Sequence, residues 1–174
     1  GINFTGSVTC NDTTSAIAIA PTATFHPSTF SFKGILRNYS TVANDSITFP
    51  NVIDWGRIEN YGGKISIKTG SFNISCVFLN FSGTFNFWDT GNFNIYKRLS
   101  IYNGGLMKIA AEVQGDGCIR NDGWMTMRSY VGKNNFYNDG KGEITGTSLH
   151  FNGGTVINNC AFFSNANNTS FQNN

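Results

Sequence analysis

The chain predicts an all-β fold: a short, irregular, right-handed parallel β-helix with an extended N-terminal arm. Three observations carry this. First, an asparagine recurs in nearly the same setting at Asn60, Asn80, Asn103, Asn121 and Asn138, with β-formers before it and a glycine close behind. Second, these positions are spaced by 20, 23, 18 and 17 residues, and Asn152-Gly-Gly offers a sixth copy. Third, no window carries a helical hydrophobic period. A repeat near 20 residues, built from short strands and tight turns, is what a coiled β-structure needs. Stacked coils bring like residues about 4.8 Å apart. An inward asparagine then hydrogen-bonds to its copies above and below, which satisfies an amide that is costly to bury unpaired.

Taken in order, residues 1–33 form the expected arm and possible subunit-linking strand, and residues 34–174 the solenoid body. The arm holds two of the three prolines, Pro21 and Pro27, which restrict it to an extended or turning path. Its apolar residues Ile2, Phe4 and Val8 fall on alternate positions, so one side of a strand is apolar. From Phe30 onward short β-rich runs alternate with Asn-Gly, Asp-Gly and Gly-Gly pairs, the marks of tight turns. The same pairs are also the marks of hairpins, so an antiparallel β-sandwich or jelly roll is the alternative.

Composition narrows the function. Charged residues are 13% of the chain, about half the roughly 25% usual in soluble domains. Because 40% of residues are hydrophobic, 16 of them phenylalanine, the low charge does not mean disorder. Net charge is +2 and no basic run exceeds Lys97-Arg98, so the electrostatic footprint of a nucleic-acid binder is absent. No apolar run approaches the length of a membrane-spanning helix. The polar load rests on asparagine, serine, threonine and glycine.

An extracellular location is expected. Eight asparagines begin an Asn-x-Ser/Thr acceptor: Asn3, Asn11, Asn38, Asn44, Asn73, Asn80, Asn167 and Asn168. Asn80 is also a ladder position and should point inward, whereas Asn73, opposite Phe72, Ile74 and Cys76, should face out. Four cysteines, Cys10, Cys76, Cys118 and Cys160, permit two disulfides in any of three connectivities. The last three lie 42 residues apart, about two coils or roughly 10 Å, too far for direct bonds between them. A start at Gly1 without methionine is read as a processed mature chain.

The segments Asn60-Tyr-Gly-Gly-Lys-Ile-Ser-Ile, Asn121-Asp-Gly-Trp-Met-Thr-Met and Asn138-Asp-Gly-Lys-Gly-Glu-Ile resemble the coils of secreted β-helical adhesins of the filamentous-haemagglutinin type. The resemblance spans residues 55–157. It implies an extended extracellular scaffold and no catalytic residues.

Parallel β-helices also include polysaccharide-cleaving enzymes, so the titratable residues need weighing. Asp122 and Asp139 follow equivalent asparagines and could stack on adjacent coils, as an acid and nucleophile or as Ca²⁺ ligands. Both sit in Asp-Gly turns, where aspartate is favoured for its hydrogen bond to the backbone. His26 and His150 have no partner at metal-ligand spacing. The aromatics Trp55, Trp88, Trp124, Tyr96, Tyr102, Tyr130 and Tyr137 could face sugars, but core packing is the simpler reading, and the tryptophans do not share one coil position. The expectation is therefore a non-enzymatic secreted glycoprotein without catalytic residues, metal or cofactor. It would assemble head-to-tail with copies of itself into an extracellular fibre, Ile2, Phe4 and Val8 adding a strand to the neighbour. A glycan-binding adhesin is the alternative, and a polysaccharide-active enzyme a more distant one.

Overall fold

A computed structural model describes residues 2–42, 47–49, 52–68, 72–74, 77–88, 92–95, 101–115, 117–133, 135–146, 148–164 and 168–171, with backbone alone at 52–55, 72–74, 92–95, 163 and 168–171. Every regular element among them is a strand. Every strand pairing is parallel, which excludes the antiparallel sandwich. The chain is a β-solenoid of about six turns.

A middle coil shows the plan. Lys64–Ile67, Phe72–Ile74 and Val77–Asn80 are three short strands separated by corners. The next coil repeats them as Thr84–Phe87, Asn92–Ile95 and Ile101–Asn103, paired in register on the first set. Toward the C-terminus the first two strands fuse, giving Leu106–Gly115 and Trp124–Gly132. A register shift between Ile109 and Glu112 lets the fused strand turn the corner. Near the N-terminus fusion happens at a different corner, in Phe30–Asn38 and Val52–Asn60. The result is two large sheets, of 13 and 9 strands.

Parallel stacking places like residues over one another, and the interior is built from such columns. Leu36, Ile58, Phe78, Ile101, Ile119 and Phe136 form one; Phe49, Ile67, Phe87, Ile109, Met127 and Ile144 form another. All are buried in one continuous core. Each such side chain contributes about 1.5–3 kcal/mol of transfer free energy, so these columns drive the collapse. A slip of one residue would turn a whole column outward, so the alternation also specifies register.

One interior column is polar. Asn38, Asn60, Asn80, Asn103, Asn121 and Asn138 have no exposed surface. Each donates from Nδ2 to Oδ1 of the next asparagine, at 2.8, 2.8, 2.7, 2.8, 2.6 and 2.7 Å, the series ending on Asn158. The second Nδ2 hydrogen reaches a backbone carbonyl of the next coil, from Gly62 O at 2.9 Å through to Ala161 O at 3.4 Å. At the N-terminal end Oδ1 of Asn38 accepts from the Ser40 N–H at 3.1 Å. Ile19 occupies the equivalent place one coil earlier, so the ladder stops there.

Close behind the ladder the chain must pass backbone against backbone. A Cβ on Gly105, Gly123 or Gly140 would lie 2.5, 2.2 or 2.1 Å from the carbonyl oxygen of Gly83, Gly105 or Gly123. Gly83 also has φ +84°, a left-handed conformation that a side chain disfavours.

Three expectations need correction. The sixth repeat is not Asn152, whose N–H bonds to Gly132 O beyond the end of Ser148–Phe151; Asn158 takes that place. The ladder also extends one coil earlier than the repeats indicate, to Asn38. Residues 2–33 are not a free arm but the first coil: Asn3–Phe4 pairs with Thr24–Phe25, Val8–Cys10 and Ala16–Ile19 both pair with Phe30–Asn38, and Phe4 stacks on Phe25 at 5.2 Å. Two- to four-residue strands suffice for a coil, so the prolines, which lie between them, do not prevent one.

Replacing Asn103 with leucine leaves one Nδ2 hydrogen of Asn80 and the Oδ1 of Asn121 buried without a partner. At about 1–3 kcal/mol for each orphaned group, N103L is expected to lose about 2–6 kcal/mol in urea unfolding. Asn158→Leu, at the exposed end of the column, should lose much less. Equal effects would show that the ladder adds nothing beyond the volume it fills.

Candidate functional site

Because each ladder asparagine points inward at a corner, the residue after it points out. In three successive coils that residue is aromatic. Tyr39, Tyr61 and Phe81 stack with centroids 4.9 Å apart and rings 11° and 17° from parallel. Each is about two-fifths exposed (42%, 41% and 40%). The next coil has Gly104 at this place, and Tyr102 from the preceding position fills it, 5.6 Å from Phe81. Asp122, Asp139 and Asn159 continue the row. The ring spacing is that of the strands, so ring faces cover one another and edges meet solvent.

The neighbouring outward row is Arg37, Glu59, Leu79, Tyr102, Arg120 and Tyr137. Glu59 is only 4% exposed although it lies on the outer side of the sheet. Arg37 Nε donates to it at 2.9 Å, Arg57 Nε lies at 2.5 Å, and the Tyr61 hydroxyl donates at 3.1 Å. Burial works against its charged form. The hydrogen bonds from Arg37 and Tyr61 and the charge of Arg57 outweigh that and hold its carboxyl below the ordinary value.

At the other end of the strip Arg120 Nε donates to Asp122 at 3.0 and 3.2 Å, and its Nη2 lies 3.7 Å from Asp139. Asn159 donates to Asp139 at 2.7 Å, and the Tyr102 hydroxyl bonds to Asp122. Asp122 and Asp139 thus do lie on adjacent coils, but a guanidinium sits between them. That is an ion-pair arrangement, unlike two carboxylates sharing a proton. Among the described residues no three His, Cys, Asp or Glu side chains gather as metal ligands. His26 and His150 are both half-buried and lie in different coils.

The other aromatics scatter. Tyr130 is core, packed on Phe136 and Phe151. Trp124 lies under Lys141 Nζ at 4.3 Å, and exposed Trp88 lies just past the end of Thr84–Phe87, out of line with Trp124. Tyr137 is beside Arg120. The side chain of Trp55, and Tyr96 altogether, lie outside the described residues. The aromatics that align, Tyr39, Tyr61 and Phe81, escape a search for tryptophan; their signal is the position directly after asparagine.

Cys10, Cys118 and Cys160 are free thiols, and Cys76 lies outside the described residues. Cys118 and Cys160 belong to coils two apart, which forbids a bond between them. Burial pushes the Cys118 thiol up, away from reactivity. At the C-terminal end the core opens into a cleft of about 210 Å³ lined by Phe136, Leu149, Phe151, Val156, Asn158 and Phe162. At the opposite end Ile2 and Phe4 are exposed, while Val8 packs against the chain's own core.

The acceptor asparagines divide sharply. Asn38 and Asn80 cannot carry a glycan in the folded chain, because Nδ2 is the atom a sugar would occupy and both its hydrogens serve the ladder. Asn3 and Asn11 are exposed. Asn44 and Asn167, with the side chains of Asn73 and Asn168, lie outside the description. No known protein family, curated protein or solved structure matches the chain. What the fold defines is its class, a parallel β-solenoid.

In protein recovered from a secretory host, mass spectrometry should find Asn38 and Asn80 unmodified; sugar on either, in folded material, contradicts the ladder. Glu59 yields a pH test. A carboxylate held below its ordinary value stabilises the fold above that value, and the contribution is lost as pH falls through its folded-state pKa. Wild type should therefore exceed Glu59→Gln in stability near neutrality, the gap closing on acidification below the normal carboxylate range. A gap that stays constant with pH would rule out the ion pairs as its source.

Proposed function

We propose that this chain is a non-enzymatic, extracellular structural β-solenoid that works by self-association, as a scaffold or fibre subunit. The observation that carries the reading is the strip from Arg37 to Asp139. Along it an ordered series of aromatic and charged groups lies on the outside, while the interior columns are filled by side chains. Such a molecule offers long surfaces rather than a reaction chamber. The coil resemblance to secreted adhesins and the exposed acceptors Asn3 and Asn11 support an extracellular setting.

The end-to-end form of assembly is favoured by the apolar cleft at one end and exposed Ile2 and Phe4 at the other. A strand edge with unpaired backbone groups recruits another strand. Glycan binding is the second reading, favoured by the Tyr39 and Tyr61 hydroxyl edges beside Arg37 and Arg57. Stacking on sugar is less favoured there, since neighbouring rings already cover the faces.

Sedimentation velocity with electron microscopy over a wide concentration range separates these readings. Self-association predicts a rising mean mass and ordered assemblies. A chain that remains monomeric throughout sinks the proposal, and monomers that bind on a glycan array would replace it with the adhesin reading.

A further inference from the structure

Resting on that self-association, we propose that the outer strip is a lateral interface for a second copy of this chain in antiparallel orientation. The argument is charge complementarity within a single row of coils. Six consecutive coils contribute Arg37, then Arg57 with Glu59, then Leu79 with Phe81, then Tyr102, then Arg120 with Asp122, and finally Asp139. The first two coils carry two guanidiniums against one carboxylate. The last two carry one guanidinium against two carboxylates. Between them lies an uncharged centre, where Phe81 is exposed and tilted against Tyr102.

A parallel neighbour would set like against like. Rotation about a twofold axis between the coils of Phe81 and Tyr102 sets coil one against six, two against five and three against four. Arg37 then faces Asp139 of the other copy, Arg57 faces Asp122, and Phe81 faces Tyr102. Isologous contacts of this kind close on themselves, giving a dimer. Its ends stay free for the end-to-end contacts considered above. Apart from the buried Glu59, the charged groups are a quarter to a half exposed, so pairing need not dismantle the bridges within each copy. At about 4.8 Å per coil even the nearest charges of the two ends, three coils apart, are separated by about 14 Å, beyond the Debye length of about 8 Å at physiological salt, so each end acts separately.

Charge exchange in the full chain tests this. One variant carries Asp122→Lys and Asp139→Lys. The other carries Arg37→Glu, Arg57→Glu and Glu59→Gln, the last so that no buried carboxylate loses its cations. Each alone should weaken lateral association at least tenfold in sedimentation equilibrium, with an unchanged circular dichroism spectrum. An equimolar mixture should recover it, because one copy is then acidic at both ends of the strip and the other basic. Wild-type association should also weaken as salt rises. Folded variants that associate like wild type, or a mixture that recovers nothing, overturn the proposal. If association instead disappears only in Ile2→Asp/Phe4→Asp, self-assembly stands and this interface falls. A strictly monomeric wild type removes both. Should the second variant misfold, the first, which leaves the Glu59 cluster untouched, still decides: undiminished association overturns the interface.

Discussion

The structure depends on one hydrogen-bond arithmetic. A buried asparagine amide has two donors and an acceptor, and in this solenoid each is used once per coil: Nδ2 to the next Oδ1, Nδ2 to the next corner's carbonyl, Oδ1 from the coil before. The amide is expensive to bury unless all of these are met. Each coil must therefore return an asparagine to the same place, whatever the chain does in between. That is why intervals of 17 to 23 residues are tolerated. Length varies elsewhere in the coil, and the ladder corner resets the register each time. Among the described residues the buried side-chain atom left without a partner is Asn86 Oδ1, which is outside the ladder.

The corner has further consequences. With the asparagine turned in, the chain must reverse against the carbonyl of the coil below, and a Cβ at Gly123 would overlap that oxygen. The residue after asparagine is left pointing outward at strand spacing. When it is Tyr39, Tyr61 and Phe81, the rings have little choice but to stack. When it is Asp122 and Asp139, two carboxylates are brought together and Arg120 from the adjoining row lies between them. The strip's positions follow from the ladder, whereas its chemistry does not.

This explains what could be read from the amino acids. Asn60, Asn80, Asn103, Asn121 and Asn138 stand out because stacking demands the same residue type each time, with glycine two or three places on. Asn38 is followed by Tyr-Ser-Thr and Asn158 by Asn-Cys-Ala, so neither shows the glycine, while Asn152 shows it without belonging. The end coils use different corners: Ser40 caps the ladder at one end, and Phe162 closes over Gly142 at the other. Parallel pairing follows from the repeat, but the membership of the first coil does not, since strands of two to four residues leave almost no pattern. The sequons at Asn38 and Asn80 mislead because the ladder and the glycosylation acceptor both require asparagine.

Interior and exterior obey different rules here, and that bears on where function lies. Inside, neighbours touch their own kind, so change in one coil is resisted by the coils on either side. Outside, the fold asks only that a residue be soluble, and alternating charge along the axis would satisfy that best by pairing every coil with its neighbour. The strip departs from this. It gathers surplus guanidinium at one end, surplus carboxylate at the other and exposed rings between them, and it holds Glu59 almost fully buried on an outer face to fix two arginines. Burying a carboxylate where water was available carries a desolvation cost, which is outweighed here only because Arg37, Arg57 and Tyr61 are all held against it. An arrangement that the ladder does not require and solubility does not favour is most simply accounted for by what meets that surface.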